Sequence, residues 1–133
     1  RIDRFFKGGI GSFVASGNDG RAVALVNSLN ESVNHPLGVG LGGFERHVGG
    51  LLEYPHNIVA ETFLEGGWLA GLTLMLLICV SLFQGFLRIR MSFSDVDIAF
   101  FGLMLFTLFY SLVAGDLNGN RMLFAFIACS LSF

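Results

Sequence analysis

The stretch GWLAGLTLMLLICVSLFQGFL, residues 67–87, decides the fold of this chain, because none of its twenty-one residues is charged. A helix rises about 1.5 Å per residue, so this stretch makes a helix of roughly 30 Å, the thickness of the hydrocarbon core of a bilayer. Residues 98–114 predict a second span, and residues 122–133 form a third apolar run that is too short to cross. We therefore predict an all-α, polytopic membrane protein.

The composition agrees with this prediction. Hydrophobic residues make up 53% of the chain and charged residues 14%, whereas about a quarter of an average soluble domain is charged. The net charge of −2 gives no reason to expect a nucleic acid partner. Cys79 and Cys129 lie in apolar runs with no histidine or second cysteine at ligand spacing, so we expect neither a metal nor a disulfide there.

The chain divides near Gly66 into a polar part, residues 1–66, and a membrane part, residues 67–133. The polar part holds twelve of the eighteen charged residues and is predicted to contain two short helices. The chain begins with Arg1 and ends inside an apolar run. We therefore expect a fragment of a longer protein, with N-terminal helices and a C-terminal remainder outside it.

Two arginines predict the orientation of the spans. Arg88 and Arg90 stand at the membrane edge of the predicted loop 88–97, while the twenty residues before Gly67 contain no lysine or arginine. Flanking cations favour the cytoplasmic side of a membrane. The polar part and the turn before the third run are therefore expected on the outer side, which in a bacterium is the periplasm.

A first helix in the polar part is predicted from apolar residues at helical spacing. Its N-cap candidates are Ser16, Asn18 and Asp19. It ends before Pro36, because the residue before a proline disfavours helical backbone. The loop 36–43, PLGVGLGG, has the spacing G-x-G-x-G-G, with no apolar strand before it and no helix expected directly behind it. This pattern excludes a nucleotide-binding turn and favours close backbone approach or a mobile loop.

A second helix is predicted from just after Pro55 to Glu65. Asn57, Glu61 and Glu65 follow one another at intervals of four residues and so share one face of this helix. The two glutamates could form an acid/base pair. Carboxylates at this spacing more often lie on a hydrated face, and that is the expectation here.

His56, within Pro55-His56-Asn57, stands about ten residues before the first span. Histidine titrates near neutral pH, so His56 could act as a general acid or base beside the membrane. It could instead cap the helix or bond a neighbouring carbonyl group. His35 and His47 lack such a setting and are expected to be solvated loop residues.

Two arginines are candidates for binding an anion. Arg21 stands in the first turn of the first predicted helix, where a cation is unfavourable against the helix dipole. It could bind an external phosphate or simply be solvated. Arg121 precedes the third apolar run and could either snorkel to headgroups or bind a lipid phosphate.

Six pieces of sequence follow one another in a distinctive order. They are Arg21, HPLGVGLGGF at 35–44, PHN at 55–57, EGG at 65–67, SLVAGD at 111–116, and Asn120-Arg121. In order and spacing these pieces resemble the C-terminal half of the bacterial O-antigen ligase and O-antigen polymerase superfamily. The resemblance covers nearly the whole chain.

The resemblance implies a glycosyltransferase of the GT-C type in the bacterial inner membrane, working without a nucleotide sugar, a metal or another cofactor. Such enzymes transfer a glycan from undecaprenyl pyrophosphate to an acceptor hydroxyl at the periplasmic face. The acceptor is lipid A-core for a ligase and another lipid-linked repeat unit for a polymerase. The residues do not separate these two activities.

The resemblance also implies roles for individual residues. His56 and Arg21 are the catalytic candidates: His56 deprotonates or orients the acceptor hydroxyl, and Arg21 binds the pyrophosphate of the donor. The substrate-binding candidates are Asn57, Arg46, Arg121 and Glu65. Among these, the two arginines could share the task of Arg21, and Asn57 and Glu65 would position the histidine and its helix.

Two other classes of protein remain open from the sequence. A transporter or flippase component would use His56 and Glu65 to relay protons, and it is expected to carry ionisable residues inside its spans. The two predicted spans contain none. A non-catalytic membrane scaffold would tolerate substitution of His56 and of the loop 36–43.

Overall fold

The computed structural model describes residues 19–48, 56–92, 94–114, 117 and 119–132, with only the backbone described at 19–21 and 45. The helices in these residues are α1 (Asp19–Asn34), α2 (Phe44–His47), α3 (Ile58–Glu65), α4 (Gly67–Ser92), α5 (Asp95–Val113) and α6 (Arg121–Leu131). All regular secondary structure in the described residues is helical, which confirms the all-α prediction.

The helices of the polar part end where the sequence indicates. α1 stops at Asn34, just before the His35-Pro36 pair. Its N-cap candidates Ser16 and Asn18 lie outside the described residues, and Asp19 is already the first helical residue. α3 ends at Glu65, as predicted from the sequence. The short helix α2 was not predicted, so the polar part has three described helices rather than two.

The first long helix is longer than predicted. α4 continues to Ser92, so Arg88 and Arg90 lie within its last turns and not in a loop, as the sequence pattern suggested. No glycine or proline follows Gly85 in this helix, and leucine, arginine and methionine continue a helix readily. The predicted loop is therefore wrong over its first half.

The second long helix begins earlier than predicted, at Asp95 rather than near residue 98. Ser94 is its N-cap, and the Ser94 hydroxyl accepts a hydrogen bond from the backbone N–H of Val96 at 3.3 Å. Asp95 and Asp97 in the first turn favour this start, because anions stabilise the N-terminus of a helix. The apolar run alone could not indicate this turn, which is polar.

Two of the described helices, α4 and α5, are long and apolar enough to cross a membrane, judged by length and composition. Only 22% of the most apolar window of α4 and 11% of that of α5 is buried. Leu69 and Phe106 are examples of the outward-facing side chains, at 82% and 68% exposed. Most of the surface of both helices therefore faces away from the core of the described residues.

Helix α3 joins two hydrophobic clusters. At its start, Ile58 is fully buried in a cluster completed by Leu74, Leu108, Leu123 and Ile127 of the three later helices. Near its end, Leu64 is fully buried with Ala24 of α1 and Phe44 of α2. Burying an isoleucine or leucine stabilises a fold by about 1.5–3 kcal/mol. The start of α3 thus packs with the later helices and its end packs with α1 and α2, so these eight residues connect the polar part to the long helices.

Candidate functional site

His56 has an unusual backbone conformation. Its φ of 52° makes it the one residue other than glycine with a positive φ in the described part of the chain. This left-handed conformation costs a residue with a side chain roughly 1–2 kcal/mol, although histidine adopts it more often than most residues. Such a conformation persists where the surroundings enforce it, and it is frequent at functional sites.

Asn57, the residue after His56, is held by three hydrogen bonds of its side chain. Its side-chain oxygen Oδ1 accepts hydrogen bonds from the backbone N–H groups of Val59 at 3.1 Å and Ala60 at 3.0 Å, which makes Asn57 the N-cap of α3. Its Nδ2 donates to the backbone oxygen of Leu112 at 2.9 Å, near the end of α5. These bonds fix the residue beside His56 in three directions. They agree with a positioning role, while a contact of Asn57 with substrate stays a prediction.

Glu61 joins the same end of the molecule to the turn between α5 and α6. It is 6% exposed, and its Oε2 accepts a hydrogen bond from the backbone N–H of Leu117 at 3.0 Å. In that turn the side-chain oxygen of Asn120 is hydrogen-bonded to the hydroxyl of Ser111, and both residues are buried. The expectation of a hydrated carboxylate is therefore wrong for Glu61, because a backbone N–H of the turn is bonded to it.

Glu65 lies at the other end of α3 and holds the loop 36–43. It is 7% exposed, and its Oε1 accepts from the backbone N–H of Phe44 at 3.4 Å. The backbone oxygens of Leu64 and Glu65 accept from Val39 at 2.9 Å and Gly40 at 3.0 Å. Glu65 is thus buried rather than hydrated. Since α3 spans roughly 12 Å, its contacts position the loop rather than His56 directly.

The glycine loop makes a close backbone approach, one of the two uses predicted for it. Gly38 and Gly67, with φ of 85° and 79°, lie against each other, and a Cβ on Gly67 would come within 2.7 Å of the backbone oxygen of Pro36. The same oxygen accepts from the N–H of Trp68 at 2.9 Å, and the indole of Trp68 donates to Ser32 at 2.9 Å. The loop is therefore seated on the junction of α3 and α4.

One detail of the loop differs from expectation. The helix α2 begins at Phe44, directly behind the glycines, where the sequence predicted no helix. Phe44 is 1% exposed and packs into the cluster at the end of α3, so burial of this aromatic explains the helix. With four residues, and with α1 rather than a strand before the loop, the arrangement still lacks the elements of a nucleotide-binding turn.

The candidate arginines are distributed over the molecule. The backbone of Arg21 lies in the first turn of α1, as predicted, and its side chain is outside the described part. Arg121 is the first residue of α6 and is exposed; it directly follows the turn that is bonded to Glu61. Arg46 is exposed in α2, which is attached to the end of α3 away from His56. Of the two candidate arginines whose side chains are described, Arg121 is therefore the one on the side of His56.

A second group of polar side chains was not recognised from the sequence. His35 Nε2 lies 3.1 Å from Glu31 Oε1, and the rings of His35 and His47 are in edge-to-face contact with centroids 5.0 Å apart. Both histidines are accessible to solvent, as expected, but His47 ends the helix α2 rather than lying in a loop. The spacing of Glu31 and His35 at four residues could have indicated their contact. The approach of His47 depends on the path of the glycine loop.

The end of the molecule that carries His56 combines three features. His56 has a constrained backbone, α5 ends and α6 begins nearby, and Arg121 places a positive charge in the first turn of α6. An imidazole can accept a proton from a hydroxyl, and an exposed guanidinium can bind phosphate oxygens. Comparison of the chain with protein-family models, with curated proteins and with solved structures finds no match in any of the three.

Proposed function

We propose that this chain is part of a glycosyltransferase of the bacterial inner membrane, of the O-antigen ligase or polymerase type. It transfers a glycan from undecaprenyl pyrophosphate to an acceptor hydroxyl at the periplasmic face. The observation that carries the proposal is His56, held at a φ of 52° beside Asn57, which is bonded to the end of the apolar helix α5. A histidine in this place can meet both lipid-borne and water-borne reactants.

The placement of cations supports the proposed side of the membrane. Asn57 contacts the last turn of α5, and the neighbouring Ile58 packs against Leu74 in the first third of α4, so His56 lies on the side of the molecule where α4 begins. Arg88 and Arg90 lie in the last turns of α4, near the opposite end. The positive-inside tendency counts residues close to the ends of a span, whether in loop or helix. In the proposed topology His56 therefore faces the periplasm.

In the proposed reaction, His56 takes the proton of the acceptor hydroxyl as that oxygen attacks the anomeric carbon of the donor glycan. The new glycosidic bond forms while the bond from this carbon to the pyrophosphate oxygen breaks, and undecaprenyl pyrophosphate leaves with the electron pair. Arg21 and Arg121 stabilise the negative charge that develops on the pyrophosphate. General base catalysis of this kind contributes roughly 10²–10⁴-fold to a rate.

Substitution in the full-length protein tests the site in cells. His56→Ala and Arg21→Ala are each expected to abolish assembly of the surface glycan at a normal protein level, because each removes a group that acts on the reacting atoms. Arg90→Lys is the matched control: it changes an exposed arginine near the opposite end of α4 and keeps its charge. Normal assembly in both alanine variants would contradict the assignment of the site.

The acceptor is identified by product analysis. Purified full-length enzyme receives lipid-linked repeat units with and without lipid A-core. A ladder of longer lipid-linked glycans identifies a polymerase, and glycan on lipid A-core identifies a ligase. A transporter or flippase component, the alternative function, forms no glycosidic bond and gives neither product. Glu61 accepts a backbone N–H of the turn before α6, and Glu65 accepts that of Phe44 at the start of α2. This is a structural use of both carboxylates and does not favour a proton relay.

A further inference from the structure

We infer that Glu31, His35 and His47 form a binding site for a divalent transition metal ion such as Zn²⁺. The three residues come from the last turn of α1, the residue after α1 and the last residue of α2. Each offers one ligand atom, and these atoms all lie within 4.8 Å of one another. The site is independent of the proposed glycan transfer, and sequence patterns had predicted no metal.

The distances suit a tetrahedral ion. With bonds of about 2.0–2.1 Å from the ion to nitrogen or oxygen, neighbouring ligand atoms lie roughly 3.3 Å apart. His35 Nε2 and Glu31 Oε1 are already 3.1 Å apart. The ligand atom of His47 lies within 4.8 Å of these two atoms. It therefore has to move closer by up to about 1.5 Å to reach the tetrahedral separation.

The ligand chemistry identifies the class of ion. Two imidazoles and one carboxylate suit zinc, cobalt or nickel, whereas magnesium and calcium prefer oxygen ligands throughout. Three protein ligands leave a fourth position for water. An ion pair between His35 and Glu31 would account for two of the residues and is worth under about 1 kcal/mol when exposed. That pair does not include His47, whose ligand atom lies within 4.8 Å of the ligand atoms of both residues.

The position of the site gives the metal a structural consequence. His35 precedes the loop 36–43, and His47 ends the short helix that follows it, so one ion joins both ends of this loop. The loop in turn is seated on the junction of α3 and α4 through Gly38 and Gly67. Closing a loop removes conformational freedom from the unfolded chain. Metal binding is therefore expected to stabilise the seated conformation of the loop.

Metal titration of the full-length protein in detergent, after removal of bound metal with a chelator, tests the inference. Co²⁺ is followed by its visible absorption, and Zn²⁺ by calorimetry and by the midpoint of thermal unfolding. His47→Ala and Glu31→Gln are expected to weaken binding of these ions at least about 100-fold. Mutating a residue that only hydrogen-bonds to a metal ligand already lowers metal affinity up to about 100-fold, and losing the ligand itself lowers it at least as much. They are also expected to abolish the metal-dependent rise in the unfolding midpoint.

The control is His56→Gly, which removes a histidine outside the cluster and is expected to bind metal like the wild type. His47 is exposed, so His47→Ala is expected to fold normally and remains informative if Glu31→Gln does not. Wild-type protein that binds no Co²⁺ or Zn²⁺, or a His47→Ala variant that binds them as tightly as the wild type, would overturn the site. Either outcome leaves glycan transfer by His56 untouched.

Discussion

At the scale of residues, His56 combines a strained backbone with a reactive side chain, and the two can be separated by substitution. Glycine adopts a positive φ without the steric cost that alanine meets. A variant with glycine at this position therefore keeps the local backbone and loses only the imidazole. This separation distinguishes a chemical role from a role in holding the start of α3.

For His56→Gly we expect a thermal unfolding midpoint equal to or above that of His56→Ala, because alanine keeps the strain of the 52° φ. Both variants are expected to lose glycan transfer to the same extent. Unfolding in detergent and transfer by the same preparations provide the measurements. A glycine variant that unfolds well below the alanine variant would contradict the strained backbone at this position.

Two glycines of the loop 36–43, one packed against the junction of α3 and α4 and one in open space, give a second comparison between matched residues. Gly38 and Gly40 have nearly the same φ, 85° and 87°, but a Cβ on Gly38 would lie 2.6 Å from the backbone nitrogen of Gly67, while a Cβ on Gly40 meets nothing within 4 Å. We expect Gly38→Ala to destabilise the protein by about 1–3 kcal/mol more than Gly40→Ala, the cost of overpacking. Equal unfolding midpoints would contradict the close packing.

Single residues were predicted with mixed success, for identifiable reasons. The isolation of His56 before an apolar span and the density of glycines after Pro36 are visible in the sequence. The burial of Glu61 and Glu65 is not, because it depends on backbone N–H groups contributed by Leu117 and Phe44, which are far away along the chain. A carboxylate on a helix is buried where such partners exist, and spacing alone does not reveal them.

At the scale of elements, α3 is the link on which the site depends. It is eight residues long, too short to be stable alone, so its stability comes from Asn57 at its start and from Ile58 and Leu64 in two separate clusters. Weakening either end is expected to loosen the connection of the polar part to the long helices.

Two variants of Asn57 separate the N-cap that it provides to α3 from its hydrogen bond to Leu112. Asn57→Asp keeps an N-cap oxygen for Val59 and Ala60 but loses the donor to Leu112, and Asn57→Ala loses both. We expect losses of about 1 kcal/mol for the aspartate and about 2 kcal/mol or more for the alanine. Chemical unfolding measures the order. An aspartate variant as unstable as the alanine variant would show that the cap contributes nothing.

Helix bounds were predicted well where the chain carries a local stop signal and poorly where it does not. The proline after His35 ends α1, and the glycines after Glu65 end α3. The end of α4 has no such signal, because hydrophobicity falls at Arg88 while helix propensity does not. An apolar run marks the part of a helix suited to lipid, and the helix itself continues beyond it.

At the scale of the whole molecule, the proposed orientation predicts which ends are reached from the periplasm. In a background of Cys79→Ala and Cys129→Ala, we expect Leu41→Cys to react with an impermeant maleimide in intact spheroplasts. Met91→Cys is expected to react only after lysis. The two positions are matched in exposure, at 87% and 84%, so reactivity reports the side of the membrane. The reverse pattern of labelling would contradict the orientation.

The arrangement of the whole could be predicted only in part. Apolar runs indicate helices and their order. The packing of the loop 36–43 against Gly67 and the ring contact of His35 with His47 depend instead on how separate segments fold together. Such contacts leave no period or spacing in the sequence. The candidate site was accordingly predicted as separate residues, and the bonds that join α3 to the turn before α6 emerge only from the fold.

The most direct test compares purified full-length wild type with His56→Gly in a reaction with glycan linked to undecaprenyl pyrophosphate, with lipid-linked repeats or lipid A-core as acceptor. Product masses are followed over time, and donor binding is measured on the same samples. We expect the wild type to form a glycosidic product, and the variant to be slower by about 10²–10⁴-fold at unchanged donor affinity. Equal rates for the two proteins, or no product from the wild type with either acceptor, would contradict glycan transfer by His56.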